Sequence, residues 1–124
     1  MDKKTIWDLG RDSVEVFRSK EKMPLVVVLD NVRSLNNIGS VFRTSDAFLV
    51  EKIMLCGITA CPPSAEIHKT ALGAEDSVAW EYYENTVDCV RALQAQGYTV
   101  CALEQVKESI ALQDFTALPS GRYA

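Results

Sequence analysis

The stretch Pro24–Val50, PLVVVLDNVRSLNNIGSVFRTSDAFLV, constrains the fold of this 124-residue chain more than any other part. It opens with an uninterrupted apolar run at 25–29, which predicts a strand buried on both faces, as in a parallel sheet. A polar turn follows, and a helical period then begins with Asn36 or Asn37 as its predicted N-cap. We therefore predict a strand, a loop and a helix over 37–49.

The predicted helix has two different faces. Apolar side chains share one side of a wheel turning about 100° per residue: Ile38, Val41, Phe42, Phe48 and Leu49. Small or polar side chains and one cation share the other: Asn36, Gly39, Ser40 and Arg43. The first amides of a helix have no intrahelical partner and lie at the positive end of its dipole, so an anion is favoured there. Gly39 would let a ligand approach and Arg43 would add a positive fork, although a capped helix with a solvated arginine fits the pattern equally well.

The rest of the chain repeats the alternation of strand and helix. Short apolar runs predict three more strands: near 52–56, 78–81 and 98–102. A helix is predicted near 86–95, and Ser64 is expected to cap a short helix through Ala71. A strand, a helix and a strand in so few residues make a parallel crossover unit, so the predicted fold is α/β, a parallel sheet with flanking helices.

Charge and length suggest one domain with two unlike halves. Residues 1–22 form a charged lead-in with a helix predicted around Asp12–Ser19, and 23–124 suffice for one core. The net charge of −4 argues against a generally basic nucleic-acid-binding protein. However, 1–62 hold nine Lys/Arg against eight Asp/Glu, while 63–124 hold four against nine. If RNA is bound, we expect the N-terminal half to meet it.

Several classes of protein and site are disfavoured by the sequence. No apolar stretch reaches the roughly 18 residues that span a bilayer, and no signal peptide opens the chain, so a cytoplasmic location is expected. The four cysteines include no C-x-x-C pair and His68 is the single histidine, so we expect free thiols and no metal site. Cys56 and Cys101 lie in strand-like runs and are predicted to be small buried residues. A surface position is the simpler interpretation of His68.

Family resemblance rests on the sequence of the predicted helix. The run NIGSVFR at 37–43 is preceded by LDNVR at 29–33 and followed by TSDAF at 44–48. Together they resemble the first signature motif of the SpoU (TrmH-type) RNA 2'-O-ribose methyltransferases, members of the SPOUT class. The resemblance implies an α/β domain with a deep trefoil knot, S-adenosylmethionine as methyl donor, a tRNA or rRNA substrate, and a homodimer in the complete protein.

The same resemblance implies a catalytic residue. It places Arg43 at the reacting ribose, with Asn37 holding the loop that presents it. A guanidinium stays protonated at ordinary pH, so Arg43 is a poor general base on its own. It would either stabilise developing alkoxide charge beside a phosphate or act as a base once a phosphate alters its acidity. We favour the electrostatic role.

Further site residues follow from the resemblance and from the predicted edge of the sheet. Contacts with RNA are expected from four residues: Arg33, Asn36, Gly39 and Ser40. Leu103 and Glu104 follow the predicted strand at 98–102, at the edge where parallel sheets bind ligands. The resemblance implies that they help to frame the S-adenosylmethionine pocket, and the alternative is that Leu103 is part of the core.

A second landmark of the family supports its fold, and two others are not found in the sequence. KTALGA at 69–74 resembles the family's second motif, although Ala71 and Leu72 stand where Ser and Ala are usual. The Gly-Asn-Glu-x-x-Gly and Ser-x-Asn-x-Ser motifs, which tie the knot and bind most of the cofactor, would fall beyond Ala124. We therefore expect the front part of a SPOUT-type (α/β knot) domain lacking its C-terminal knot segment and inactive alone. The alternative is a non-catalytic RNA-binding or dimerising α/β module.

Overall fold

The computed structural model describes residues 21–124, and the helix predicted around Asp12–Ser19 lies outside them. Strands and helices alternate along most of this part: β1 (Met23–Asp30), α1 (Leu35–Ala47), β2 (Val50–Cys56), α2 (Ala65–Ala71), α3 (Ala74–Ser77), β3 (Trp80–Tyr83) and α4 (Thr86–Ala95). The segment after α4 is irregular apart from a 3-10 turn at Leu112–Asp114.

The three strands form a parallel sheet in the order β1-β2-β3. Leu29 of β1 pairs with Leu55 of β2, and Ile53 of β2 pairs with Trp80 of β3. The long apolar run of β1 thus lies beside β2, with α1 as the crossover between them. The predicted α/β fold, a parallel sheet with flanking helices, is confirmed.

The strand predicted at 98–102 is not a regular strand, and this prediction is wrong in extent. Thr99 makes a single parallel bridge to Tyr123, which in turn bridges to Leu25 of β1. Hydrogen bonds from Val26 N to Tyr123 O, 2.8 Å, and from Thr99 N to the carbonyl of residue 122, 2.8 Å, hold these rows together. The pairing of this segment is limited to these isolated bridges and hydrogen bonds.

Each face of the sheet has its own core, because successive side chains of a strand point to opposite faces. The core on the α1 and α2 face contains nine buried residues: Leu29, Ile38, Phe42, Ile53, Leu55, Ile67, Ala71, Ala74 and Val78. The core on the α4 face contains six: Val26, Met54, Cys56, Cys89, Leu93 and Tyr98. The sheet is therefore covered by helices on both sides, as the apolar runs of β1 and β2 require.

The boundaries of α1 differ from the prediction at both ends. Ser34, rather than Asn36 or Asn37, is the N-cap, and its Oγ accepts a hydrogen bond from Asn37 N at 3.1 Å. The helix stops before Phe48, whose side chain is 61% exposed, and Leu49 turns the chain into β2 with a positive φ of 55°. Phe48 therefore does not extend the buried face of α1, whereas the half-buried Leu49 packs against the core on that side from beyond the helix end.

The other predicted elements are largely confirmed. Ser64 caps α2 and its Oγ accepts from Ile67 N, 3.3 Å, while α4 spans 86–95 as predicted. β3 begins two residues later than predicted, because the short helix α3 stands before it. Cys56 is buried, but Cys101 is exposed because it lies in the irregular segment rather than in a regular strand.

Candidate functional site

The carboxyl ends of the parallel strands meet at one edge of the sheet, where open α/β sheets bind ligands. Asp30 ends β1 there, and α1 begins close by at Leu35. The row at 98–101 runs parallel to β1 through its bridge to 122–124. The chain continues from this row to Leu103 and Glu104, whose place at the ligand-binding edge stays a prediction.

The loop between β1 and α1 is fixed by hydrogen bonds to the loop after β2. Asn31 Oδ1 accepts from Ile58 N at 3.0 Å, and Val32 N donates to Thr59 Oγ1 at 2.9 Å. Asn31 adopts a positive φ of 53°, which asparagine tolerates better than most residues. Arg33 is thus an exposed cation on a loop whose backbone is held in place.

A second connection ties α4 to the same edge. Asp30 Oδ1 accepts from Thr86 Oγ1 at 2.6 Å and from Asn31 Nδ2 at 3.1 Å. The bond to Thr86 joins residues 56 positions apart, so no local pattern in the sequence could have revealed it. The carboxylate of Asp30 therefore has a structural role, because it links the end of β1 to the start of α4.

The exposed face of α1 carries most of the residues that the sequence analysis selected. Asn36, Asn37, Ser40 and Arg43 are all exposed. Within residues 21–124, the guanidinium of Arg43 makes no hydrogen bond or ion pair, and the first turn of α1 contains no acidic residue. The structure therefore leaves a cation and the beginning of a helix open together to an anionic ligand.

Gly39 is the exception, and its predicted place on the open face is wrong. It is buried, and a Cβ on it would overlap Thr70 Oγ1 and the Ile67 carbonyl oxygen and lie 3.0 Å from Ala71 N. The helical wheel could not predict the burial of Gly39, because this burial arises where α2 packs against one edge of the polar face of α1. Gly39 is therefore too buried to contact RNA directly.

The two residues selected for the cofactor pocket lie in the open. The Leu103 side chain is 92% exposed, so the alternative that it belongs to the core is wrong. Glu104 is also exposed, and its Oε1 accepts from Gln105 N at 2.9 Å. More exposed apolar side chains follow in the same segment: Val106, Ile110, Leu112, Phe115 and Leu118.

An apolar groove of about 440 Å³ lies between β1 and α1, towards the amino end of β1. It is lined by Met23, Leu25, Val27, Ser40, Val41, Thr44, Ser45, Phe48 and Val50. Arg43 is not part of its lining. Among the residues of the exposed α1 face, Ser40 alone also borders this groove, so the groove is chemically distinct from the open cationic face.

The thiols of the core are poorly suited to catalysis. Burial raises the pKa of Cys56 and raises the pKa of Cys89 to about 12, and the contact between the two thiols adds to the effect at Cys89. Both are therefore protonated at neutral pH, and a protonated thiol is a weak nucleophile and metal ligand. Burial also raises the pKa of Cys61.

Other kinds of site find little support in the described residues. The single histidine, His68, is exposed and places Nδ1 3.2 Å from Glu75 Oε1. No group of three or more His, Cys, Asp or Glu in 21–124 is arranged to hold a metal ion. No helix in this part of the chain is both long and apolar enough to span a membrane.

Comparison with known proteins gives consistent results. The profile of the SpoU rRNA Methylase family matches residues 24–122. The 23S rRNA (guanosine-2'-O-)-methyltransferase RlmB of Vibrio cholerae is 29% identical over 89 residues, covering 72% of this chain and 36% of the relative. RlmB of Nitrosomonas europaea is 36% identical over 73 residues, covering 59% of this chain and 28% of the relative.

A solved structure agrees with the sequence relatives. The AdoMet-bound rRNA methyltransferase from Sinorhizobium meliloti superposes with a TM-score of 0.58 and 31% identity. The match covers 68% of this chain and 33% of that one. The chain thus spans about a third of the length of the proteins that it matches.

Proposed function

Since this chain belongs to the SpoU rRNA Methylase family, we propose that it forms part of an S-adenosylmethionine-dependent RNA 2'-O-methyltransferase. The observation that carries the proposal is the open face of α1, where Arg43 stands exposed with no side-chain partner among residues 21–124. The names of the relatives support rRNA as the substrate class. Because the chain spans about a third of those relatives, the proposal concerns the activity of the whole gene product.

Arg43 is proposed as the catalytic residue. Its planar fork can bind a phosphate beside the reacting ribose and stabilise the negative charge that develops on the 2'-oxygen. Among residues 21–124 no group competes for the fork. An electrostatic role also suits a guanidinium, which stays protonated.

The neighbouring residues would orient the RNA strand. Arg33 is proposed as a phosphate contact, because it is exposed on the loop fixed between β1 and α1. Asn36 and Ser40 would contact the backbone or the ribose next to Arg43. Asn37 would hold the helix start that presents Arg43, and its backbone N–H is already bonded to the Ser34 cap.

The described residues would provide part of a binding site for the methyl donor. S-adenosylmethionine would supply an electrophilic methyl group on its sulfonium sulfur. Leu103 and Glu104 are exposed residues that follow the row at 98–101, and we propose that they form one wall of a donor site at the carboxyl edge of the sheet. Their exposure leaves the remaining walls of such a site to other parts of the whole gene product.

Assembly and location also belong to the proposal. A homodimer would cover apolar surface, and the groove between β1 and α1 is open apolar surface of this kind. An rRNA substrate would require the enzyme where ribosomes are made, in the cytoplasm. Sedimentation of the whole gene product would test the dimer directly.

The central experiment measures transfer of tritiated methyl groups from S-adenosylmethionine to unmodified rRNA by the whole gene product. Arg43→Ala should lower kcat by about 10²-fold or more, the usual loss on removing one donor that stabilises transition-state charge. The exposed position of Arg43 means that the variant should keep the wild-type unfolding midpoint. Arg43→Lys should also fail badly, since an ammonium cannot reproduce the planar fork.

Arg91→Ala is the matched control, because Arg91 is an exposed arginine of α4 on the other face of the sheet. It should leave kcat and RNA affinity within about twofold of wild type. Normal methyl transfer by Arg43→Ala would refute the proposed role. Loss of RNA binding in that variant without any methyl transfer by the wild type would instead support the alternative, a non-catalytic RNA-binding module.

A further inference from the structure

The hydroxyl of Thr70 in α2 bonds to the first turn of α1. Thr70 Oγ1 lies 2.7 Å from the Asn36 carbonyl oxygen and 3.4 Å from the carbonyl oxygen of Ile67 in its own helix. A hydroxyl has one proton to donate, so the shorter contact to Asn36 is the better hydrogen bond. The bond connects positions 34 residues apart, at the point where the open face of α1 begins.

Two features make this contact close and specific. Gly39 has no side chain, so α2 can approach the turn of α1 that contains it, and a Cβ there would overlap Thr70 Oγ1. The Asn36 carbonyl oxygen also accepts from Ser40 Oγ at 3.0 Å. Thr70 and Ser40 thus donate to the same oxygen, which fixes the Asn36 peptide and the inward rotamer of Ser40.

The fixed turn directly precedes Arg43. Asn36, Ser40 and Arg43 are spaced at i, i+4 and i+7, so they follow one another along the same face of α1. A tilt of the first turn would move Asn36 and Ser40 relative to Arg43 and change the spacing of contacts offered to an RNA strand. Positioning of this kind matters because small displacements of binding groups cost rate and affinity.

We propose that Thr70 is a positioning residue for the RNA-binding face of α1, acting through its hydrogen bond to the Asn36 carbonyl. This inference rests on the proposed function, since it assumes that the α1 face binds RNA. Thr70 itself does not touch the substrate. This positioning role requires a hydroxyl group. Thr70→Ser keeps the hydroxyl and should keep the role, whereas Thr70→Val replaces the hydroxyl with a methyl group and should lose it.

The test compares Thr70→Val with Thr70→Ser in the whole gene product. The probe is a fluorescein-labelled hairpin of unmodified rRNA, and its affinity is measured by anisotropy alongside kcat and KM for methyl transfer. Thr70→Val should weaken RNA binding about three- to tenfold, the worth of one hydrogen bond. Thr70→Ser should restore binding to within about twofold of wild type. Thr116→Val is the matched control, because Thr116 is an exposed threonine outside α1 and outside the groove, and it should bind RNA normally.

A merely structural role for Thr70 predicts a different pattern. Thr70→Val would then lower the unfolding midpoint, and RNA affinity corrected for the folded fraction would equal that of wild type, which would overturn the inference. Combination with Arg43→Ala provides a second criterion, since residues acting through one face give non-additive losses. Thr70→Val should add little to the loss in Arg43→Ala, and a full additive loss would contradict positioning through this face.

The same variants separate failure of the inference from failure of the proposed function. If Arg43→Ala binds RNA and transfers methyl groups normally, the proposed function fails, and the inference fails with it. If Arg43→Ala loses activity while Thr70→Val matches wild type in RNA affinity, kcat and KM, the inference alone is refuted.

Discussion

The body of the protein, residues 23–97, and its C-terminal segment, 98–124, differ in strand pairing and in the burial of their side chains. In the body, each strand is paired over several residues and both faces of the sheet are covered by helices. In the segment, single bridges at Thr99 and Tyr123 are the only strand pairing, and every side chain from 101 to 120 is exposed. The apolar run that begins at Tyr98 therefore forms no regular strand, whereas each strand of the body pairs with a neighbour over several residues.

The segment is nevertheless attached to the body at its two ends. Tyr98 is buried, its hydroxyl bonds to Glu51, and the Arg122 guanidinium lies 4.1 Å from the centre of the Tyr98 ring. Arg122 Nη1 also donates to the Gln96 carbonyl at 2.8 Å. These contacts anchor the segment at Tyr98 and Arg122, whereas Leu103 and Glu104 between them are exposed.

Leucine truncation should reveal the largest difference between the two regions. Leu55 is fully buried in β2, whereas Leu112 of the segment is 74% exposed. Leu55→Ala should lower the free energy of unfolding by about 2–5 kcal/mol, because it leaves a cavity in the core. Leu112→Ala should change it by less than about 0.5 kcal/mol. Urea denaturation followed by circular dichroism measures both, and equal losses would mean that the segment is packed as tightly as the body.

A methyl group added at Gly39 should have the next largest effect. Gly39→Ala must displace Thr70 and the backbone of α2, so the free energy of unfolding should fall by about 1–3 kcal/mol, as in other overpacked contacts. Ser40→Ala, at the next and exposed position of the same helix, is the control and should unfold near the wild-type midpoint. A fully stable Gly39→Ala protein would show that α2 can move away from α1 at little cost.

Alkaline pH should destabilise the protein through Cys89 of the body and Tyr98 of the segment, so this change distinguishes the two regions least. The pKa of Cys89 is raised from 9.0 to about 12, and burial also raises the pKa of Tyr98. The folded protein therefore retains protons that the unfolded chain loses, so the stabilising contribution of these two groups should be complete below pH 9 and should fall as the pH rises from 9 towards 12. Thermal melts over this range test the sign, and Cys89→Ala should flatten the decline.

Thiol labelling checks the same contrast without unfolding the protein. At pH 8, a thiol reagent should modify the exposed Cys101 quickly and the buried Cys56 and Cys89 only after unfolding. Rapid labelling of Cys89 in the native protein would show that the α4 face of the sheet opens readily. A Cys101→Ser variant identifies which thiol accounts for the fast phase.

Local chemistry made much of the body predictable from the sequence. The apolar run of β1 predicted a buried strand, and Ser64 and the period over 86–95 predicted two helices, because caps and periodicity act within a few residues. The exposed positions of Arg43 and Asn36 also followed from the helical wheel. The resemblance of the NIGSVFR run to the SpoU motif supplied the family, which the periodicity of the same residues could not have supplied.

What the sequence determined by itself is the alternation of strands and helices, the parallel sheet, the family, and the face of α1 that remains open. Only the tertiary structure decided that Gly39 is buried, that Ser34 caps α1, that Leu103 is exposed and that Thr70 bonds to Asn36. The physical reason is distance along the chain. Caps and helical faces depend on neighbours a few residues away, whereas the packing of α2 on α1 and the pairing of Thr99 with Tyr123 join residues about 24 to 34 positions apart.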